Sequence, residues 1–254
     1  MVKKALWTAT SLVALGVAPA LAADLPARTY SKAPAPVAAF DWGGFYIGLD
    51  GGGASSHNCW DLNNVAGTAV VPAVREGCNN ATGGLVGGQL GYRWQTAGWV
   101  FGLEAQGDWA NLTGSGTSSP AALTAALTNA TKIDALGLFT GQVGYAWNNI
   151  LGYVKGGAAV THNTYTGTLT GTGIVIDQAS ETRWGASVGT GIEVSFAPNW
   201  SVGVEYDHLF MGKRNITLPA TAFVNSRVDN IGQDVDMGTV RLNYRFGGPV
   251  IAKY

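Results

Sequence analysis

The side chains able to do chemistry are few. Cys59 and Cys78 are the only cysteines, and His57 stands two residues before the first of them. As free thiols beside an imidazole they could bind a metal or exchange electrons. As a disulfide they would close a loop, given an oxidising compartment. No second cluster of histidines or cysteines accompanies them, so a staple worth about 3 kcal/mol is expected, and no metal site. His208 could serve acyl transfer on a lipid, but only beside a serine at the same height, and none is evident. No P-loop or dinucleotide-binding fingerprint is present. N-x-[ST] patterns begin at Asn80, Asn111, Asn129, Asn199 and Asn215, and in so threonine-rich a chain they read as chance. Neither a catalytic residue nor a cofactor is expected.

The remaining polar chemistry is ionic. Arg93, Arg183, Arg241 and Arg245 share a facing with Glu104, Asp108, Glu193 and Glu205. Such a set could line an ion-selective pore or neutralise itself in a lattice of salt bridges. An interior too narrow for water requires the lattice, because an unpaired buried charge is severely penalised. Lys155 is placed on the same side.

What positions these charges is a series of alternating segments. Period-2 patterning gives eight, near 42–54, 83–94, 99–109, 132–147, 150–161, 182–196, 200–210 and 235–246. In the third, Trp99, Phe101, Leu103, Ala105, Gly107 and Trp109 oppose Val100, Gly102, Glu104, Gln106 and Asp108. In the sixth, Trp184, Val188, Ile192 and Phe196 oppose Arg183, Ser187 and Glu193; in the eighth, Val240, Leu242, Tyr244 and Phe246 oppose Arg241, Asn243 and Arg245. A soluble sandwich also alternates, but it hides its apolar face. Here the charged face must be the hidden one and the apolar face must meet lipid, because aromatics gather at the segment ends. Trp42, Trp94, Trp99, Trp109, Trp147, Trp184, Trp200 and Phe246 are expected to form two interfacial girdles.

Connections alternate too. Gln95–Gly98, Asn148–Asn149 and Ala197–Asn199 are short, whereas 55–82, 110–131, 162–181 and 211–234 are long and read as external loops. Each segment approaches the 9–11 residues a tilted strand needs to cross a bilayer. The mature chain has no run of 18 apolar residues, so only a closed sheet could span one. The expected fold is an all-β, eight-stranded antiparallel up-and-down transmembrane barrel over residues 42–246.

The ends fit this picture. Residues 1–22 read as a signal peptide: Lys3 and Lys4, an apolar run from Ala5 to Val17, then Ala20-Leu21-Ala22 before a cut between Ala22 and Ala23. Residues 23–41, with Pro26, Pro34 and Pro36, read as an extended periplasmic linker. Pro249 and its paired glycines end the last strand at Phe246, leaving 247–254 as a short tail. Charged residues make up 12% of the chain, half the usual share, with 37 glycines and nine tryptophans. Losing Lys3 and Lys4 takes the net charge from −1 to about −3. That is no footprint for nucleic acid.

Several motifs, taken in order, carry a family likeness: ALAADLP at 20–26, DWGGFYIGLDGGG at 41–53, GQLGYRW at 88–94, GQVGYAW at 141–147, YVKGGAA at 153–159 and LNYRFGGPVIAKY at 242–254. The chain resembles the porin-like, opacity-protein-like surface-antigen barrels of Gram-negative alphaproteobacteria. The resemblance implies an abundant outer-membrane barrel with structural, antigenic and sometimes pore roles. It brings no catalytic residue. The expected partners are outer-membrane lipid and, during biogenesis, the barrel assembly machinery. The expected function is a surface-presenting barrel; a narrow channel for small solutes or ions is the alternative. A soluble periplasmic carrier would need an apolar lumen, which the charged inner set opposes.

Overall fold

The computed structural model describes residues 40–118, 126–219, 221 and 225–247. The proposed cleavage site at Ala22 and Ala23, nearly all of the linker and most of the C-terminal tail lie outside the described residues. Eight strands follow one another: β1 (Gly44–Val65), β2 (Thr68–Thr96), β3 (Trp99–Ser118), β4 (Leu127–Trp147), β5 (Ile150–Leu169), β6 (Val175–Ala197), β7 (Trp200–Leu218) and β8 (Arg227–Phe246). Each pairs antiparallel with the next, and β8 returns to β1 from Phe45↔Phe246 to Val65↔Arg227. The sheet therefore closes as an up-and-down barrel. No helix occurs among the described residues.

The strands run much further than the alternation predicts. The four segments read as long loops are mostly strand: β1 and β2 turn only at Ala66-Gly67, which adopt the two positive φ values (52° and 81°) of a tight hairpin turn. The physical reason is solvent. Beyond the lipid both barrel faces can be polar, so stretches such as Gly114–Ser118 and Asn163–Leu169 lose hydrophobic contrast while keeping their ladder to the neighbouring strand. Irregularities also break the parity. Between Ile133 and Ala135 on β4, and between Phe210 and Gly212 on β7, an extra residue shifts which side chains face inward. Gly212 takes φ +68° there, a conformation that suits glycine.

The outer half differs from the inner half in its closure. β2 and β3 stay in register from Thr96↔Trp99 up to Thr82↔Thr113, where pairing stops. β6 and β7 pair only from Ala197↔Trp200 up to Ala186↔Phe210, with one irregularity between Ser195 and Ala197. The other six pairings continue to the outer tips. The upper barrel thus consists of two four-stranded sheets, β7-β8-β1-β2 and β3-β4-β5-β6, standing on one continuous ring.

Candidate functional site

The lumen is packed in layers. At the short-turn end Trp42 is 2% exposed and packs inside the barrel with Val100, Leu151, Tyr153 and Phe40. This corrects its assignment to an interfacial girdle. Trp42 precedes β1, so the pleat does not fix its facing, and its ring turns into the mouth beneath the Arg93 guanidinium.

Above it lies an ionic lattice to which every strand contributes. Arg241 (β8) pairs with Glu104 (β3) and Glu205 (β7), and it donates to the Tyr153 hydroxyl (β5) at 3.1 Å. Lys155 (β5) reaches Glu205 at 2.6 Å, Glu104 at 3.3 Å and Asp207 at 3.4 Å. Tyr46 (β1) donates to Glu104 at 2.6 Å and accepts from Gln142 (β4) at 3.0 Å. Arg93 (β2) holds Glu193 (β6) at 2.8 Å and lies 4.3 Å over the Tyr46 ring. Glu193 also accepts from Asn243 and Ser201. Asp108 accepts from Gln106 at 3.2 Å. All of these groups are buried. Together they form a cross-braced plug, in which multiple hydrogen bonds accompany each close charge pair.

Two arginines of the expected network stand elsewhere. Arg183 is higher, on Glu181 and on the Gly212 and Ile231 carbonyls, and Arg245 is at the mouth, 3.8 Å from Asp41. Both keep inward parity, but parity does not report height along the axis. Above the lattice comes an apolar layer of Leu85, Leu112, Ile133, Leu136, Leu138, Leu209, Met211, Val235 and Met237. A second aromatic layer, with Trp60, Tyr165, Ile216, Leu218 and Ile231, follows.

Near the outer mouth Arg227 (β8) gathers Glu76 (β2), Asp177 (β6) and Asp229 (β8) at 2.9–3.1 Å, and donates to Asn129 (β4) at 2.9 Å. Burial pushes the Asp229 carboxyl up to about 8; Arg227 opposes the shift, and Glu76 and Asp177 add to it. This cluster was missed from sequence because its members fall in segments read as loops. The Tyr46 and Tyr153 hydroxyls were missed too, although their inward parity was readable.

Cys59 and Cys78 face each other on β1 and β2 and are joined by a disulfide. They sit on strands rather than in a loop. His57 lies beside them, its Nε2 3.3 Å from the Cys59 Sγ and its Nδ1 2.7 Å from the Asn80 Oδ1. His162 is on β5 rather than at the start of a loop, and it contacts Thr182. His208 contacts Asp236 at 2.6 Å, and Tyr206 donates to the same carboxylate.

The outer face reverses the polarity of a water-soluble protein. Ile47, Leu49, Leu90, Phe101, Leu103, Phe139, Val154, Val188, Val204 and Val240 are exposed. Trp94, Trp99, Trp147, Trp200 and Phe246 are exposed at the short-turn end, and Trp109 and Trp184 stand further up their strands, towards the outer end.

Residues 9–246 match the family described as outer membrane protein beta-barrel domain. The chain belongs to that family. It is 32% identical over 251 residues to the 31 kDa outer-membrane immunogenic protein of Brucella melitensis, covering 93% of this chain and 97% of the relative. The protein of the same name from Brucella suis matches equally. Among solved structures, the outer membrane protein OprG from Pseudomonas aeruginosa is 12% identical over 81% of this chain and 97% of its own, with a TM-score of 0.49. Neisserial surface protein A is 14% identical over 80% of this chain and 97% of its own, with a TM-score of 0.37. The protein is thus a non-catalytic, surface-exposed outer-membrane β-barrel, and the exposed apolar belt is the part that such a barrel turns to lipid.

Proposed function

We propose that this outer-membrane barrel is a sealed scaffold that holds a strand-built rim above the cell surface. The observation that carries the reading is the filled lumen. The Arg241–Glu104–Glu205–Lys155 lattice is buried, and a layer of packed apolar side chains stands above it. An eight-stranded barrel is just wide enough for its own side chains, which supports a plug over a pore. The outward apolar belt counts against a soluble carrier.

In the proposed arrangement residues 1–22 direct export, with cleavage before Ala23, and 23–41 hang as a linker in the periplasm. The short turns face the periplasm, where the barrel assembly machinery receives the chain, and the long hairpins face outward. Planar-bilayer recording on the purified, folded protein tests the reading. A flat baseline at all voltages is expected. Reproducible ohmic steps would instead establish the narrow channel.

A further inference from the structure

We infer that the Cys59–Cys78 pair, once reduced, becomes a binding site for a thiophilic divalent cation such as Zn2+, with His57 as its third ligand. The two sulfurs and the His57 ring nitrogen already lie within 4.8 Å of one another. They are brought together by the sheet itself. His57 and Cys59 alternate onto the outward face of β1, and the register sets Cys59 against Cys78 and His57 against Asn80. In tetrahedral coordination, zinc–sulfur bonds of about 2.3 Å and a zinc–nitrogen bond of about 2.0 Å put nitrogen and sulfur roughly 3.5 Å apart. The His57 Nε2 to Cys59 Sγ distance is 3.3 Å. Only the two sulfurs have to separate, by rotation about their Cα–Cβ bonds.

The imidazole is oriented for this role. The Asn80 Oδ1 can only accept, so the 2.7 Å contact places a hydrogen on Nδ1 and leaves the Nε2 lone pair aimed at the sulfurs. A carbonyl oxygen behind a ligating histidine is the usual way that its tautomer and ring angle are fixed. His57 and Cys78 are exposed and Cys59 is half-buried, so an ion can reach the site from solution, and a fourth position stays open to water.

The chemistry balances in two steps. An external dithiol or phosphine reductant gives up two electrons and the disulfide takes them with two protons, yielding two thiols. The cation then displaces both thiol protons and binds the dithiolate and the neutral imidazole. The hairpin would be stapled covalently in one state and by the metal in the other.

The test uses full-length folded protein in detergent, reduced with a phosphine that is then removed without air, and titrated with Co2+. One equivalent should produce thiolate-to-cobalt absorption in the near ultraviolet together with the visible bands of a tetrahedral ion. Excess Zn2+ should bleach both. Oxidised protein should show neither. Cys78→Ser should lose the near-ultraviolet absorption. His57→Ala should weaken binding tenfold or more and shift the visible bands. Heat-modifiable migration on a gel establishes that each variant is folded. Reduced protein without the absorption would overturn the proposal. So would a His57→Ala variant whose spectrum and affinity match the parent.

Discussion

Leu103 offers the most direct check on which face of the barrel meets lipid. It is 60% exposed on β3, between Trp99 at the short-turn end and Trp109 at the outer end. A strand rises about 3.3 Å per residue, and a tilt near 40° projects that to about 2.5 Å along the membrane normal. The ten residues between the two tryptophans then span about 25 Å, the height of an apolar belt. Leu103 stands about 10 Å above one girdle and about 15 Å below the other, close to the midplane. Arginine there should cost about 2–4 kcal/mol, a loss of roughly 30- to 900-fold in the folding equilibrium. Thr113 also faces outward on β3 but lies four residues past Trp109, so Thr113→Arg should stay within about 0.5 kcal/mol of the parent. Urea unfolding in lipid vesicles, followed by tryptophan fluorescence, gives both values. Equal midpoints for Leu103→Arg and Thr113→Arg would refute the lipid-facing assignment.

Arg241→Met leaves Glu104 and Glu205 with Lys155 as their one remaining cation and should cost about 3–5 kcal/mol by urea midpoint; adding Glu205→Gln should recover part of the loss. The Asp229 carboxyl keeps its proton to about pH 8 when folded but loses it near pH 4 when unfolded, so protonation favours the folded state. That contribution is fully present below pH 4 and is lost as pH climbs through about 8. Asp229→Asn should therefore flatten the fall in unfolding midpoint between pH 5 and pH 9. Phe246 closes β8 and packs on Phe45 at 5.6 Å. Phe246→Ala should lower the folded, heat-modifiable fraction in outer-membrane extracts more than deletion of Val250 to Tyr254 does. The reverse ranking would move the assembly signal to Tyr254.

Legibility followed the lipid. Between the girdles each residue must choose between hydrocarbon and lumen, and the choice writes alternation into the sequence. Leu103 against Glu104, and Val240 against Arg241, could be placed from it. The same alternation put Arg93, Glu104, Glu193, Glu205 and Arg241 on one side. It could not say that Arg183 and Arg245 stand at other heights, because parity has no axial coordinate. Above the girdles the constraint lapses. Thr113, Ser115 and Thr117 face water where Trp109 faces the belt, so the strand goes on but its signature ends. The Arg227 cluster was hidden for that reason, and the irregularity after Ile133 inverts the parity that leads to Asn129. Trp42 was misplaced because an aromatic at a strand start satisfies a girdle or a mouth equally well by pattern.

The two places where ladder pairing stops have a mechanical meaning. Four strands separate them in either direction around the barrel, so they lie on opposite sides of it. A tube slit along two opposite lines resists stretch along its axis but yields to prying across the slits. Among the described residues the prying is opposed by side chains: Arg227 on Asp177, Arg183 on the Gly212 and Ile231 carbonyls, Gln233 on Asn163 and Asn79 on the Asn129 carbonyl. Each of these fasteners is exchangeable, whereas the unslit ring below has no edge to release. Strain applied to the rim by anything that grips it is therefore taken up first along these two lines, where no ladder has to break.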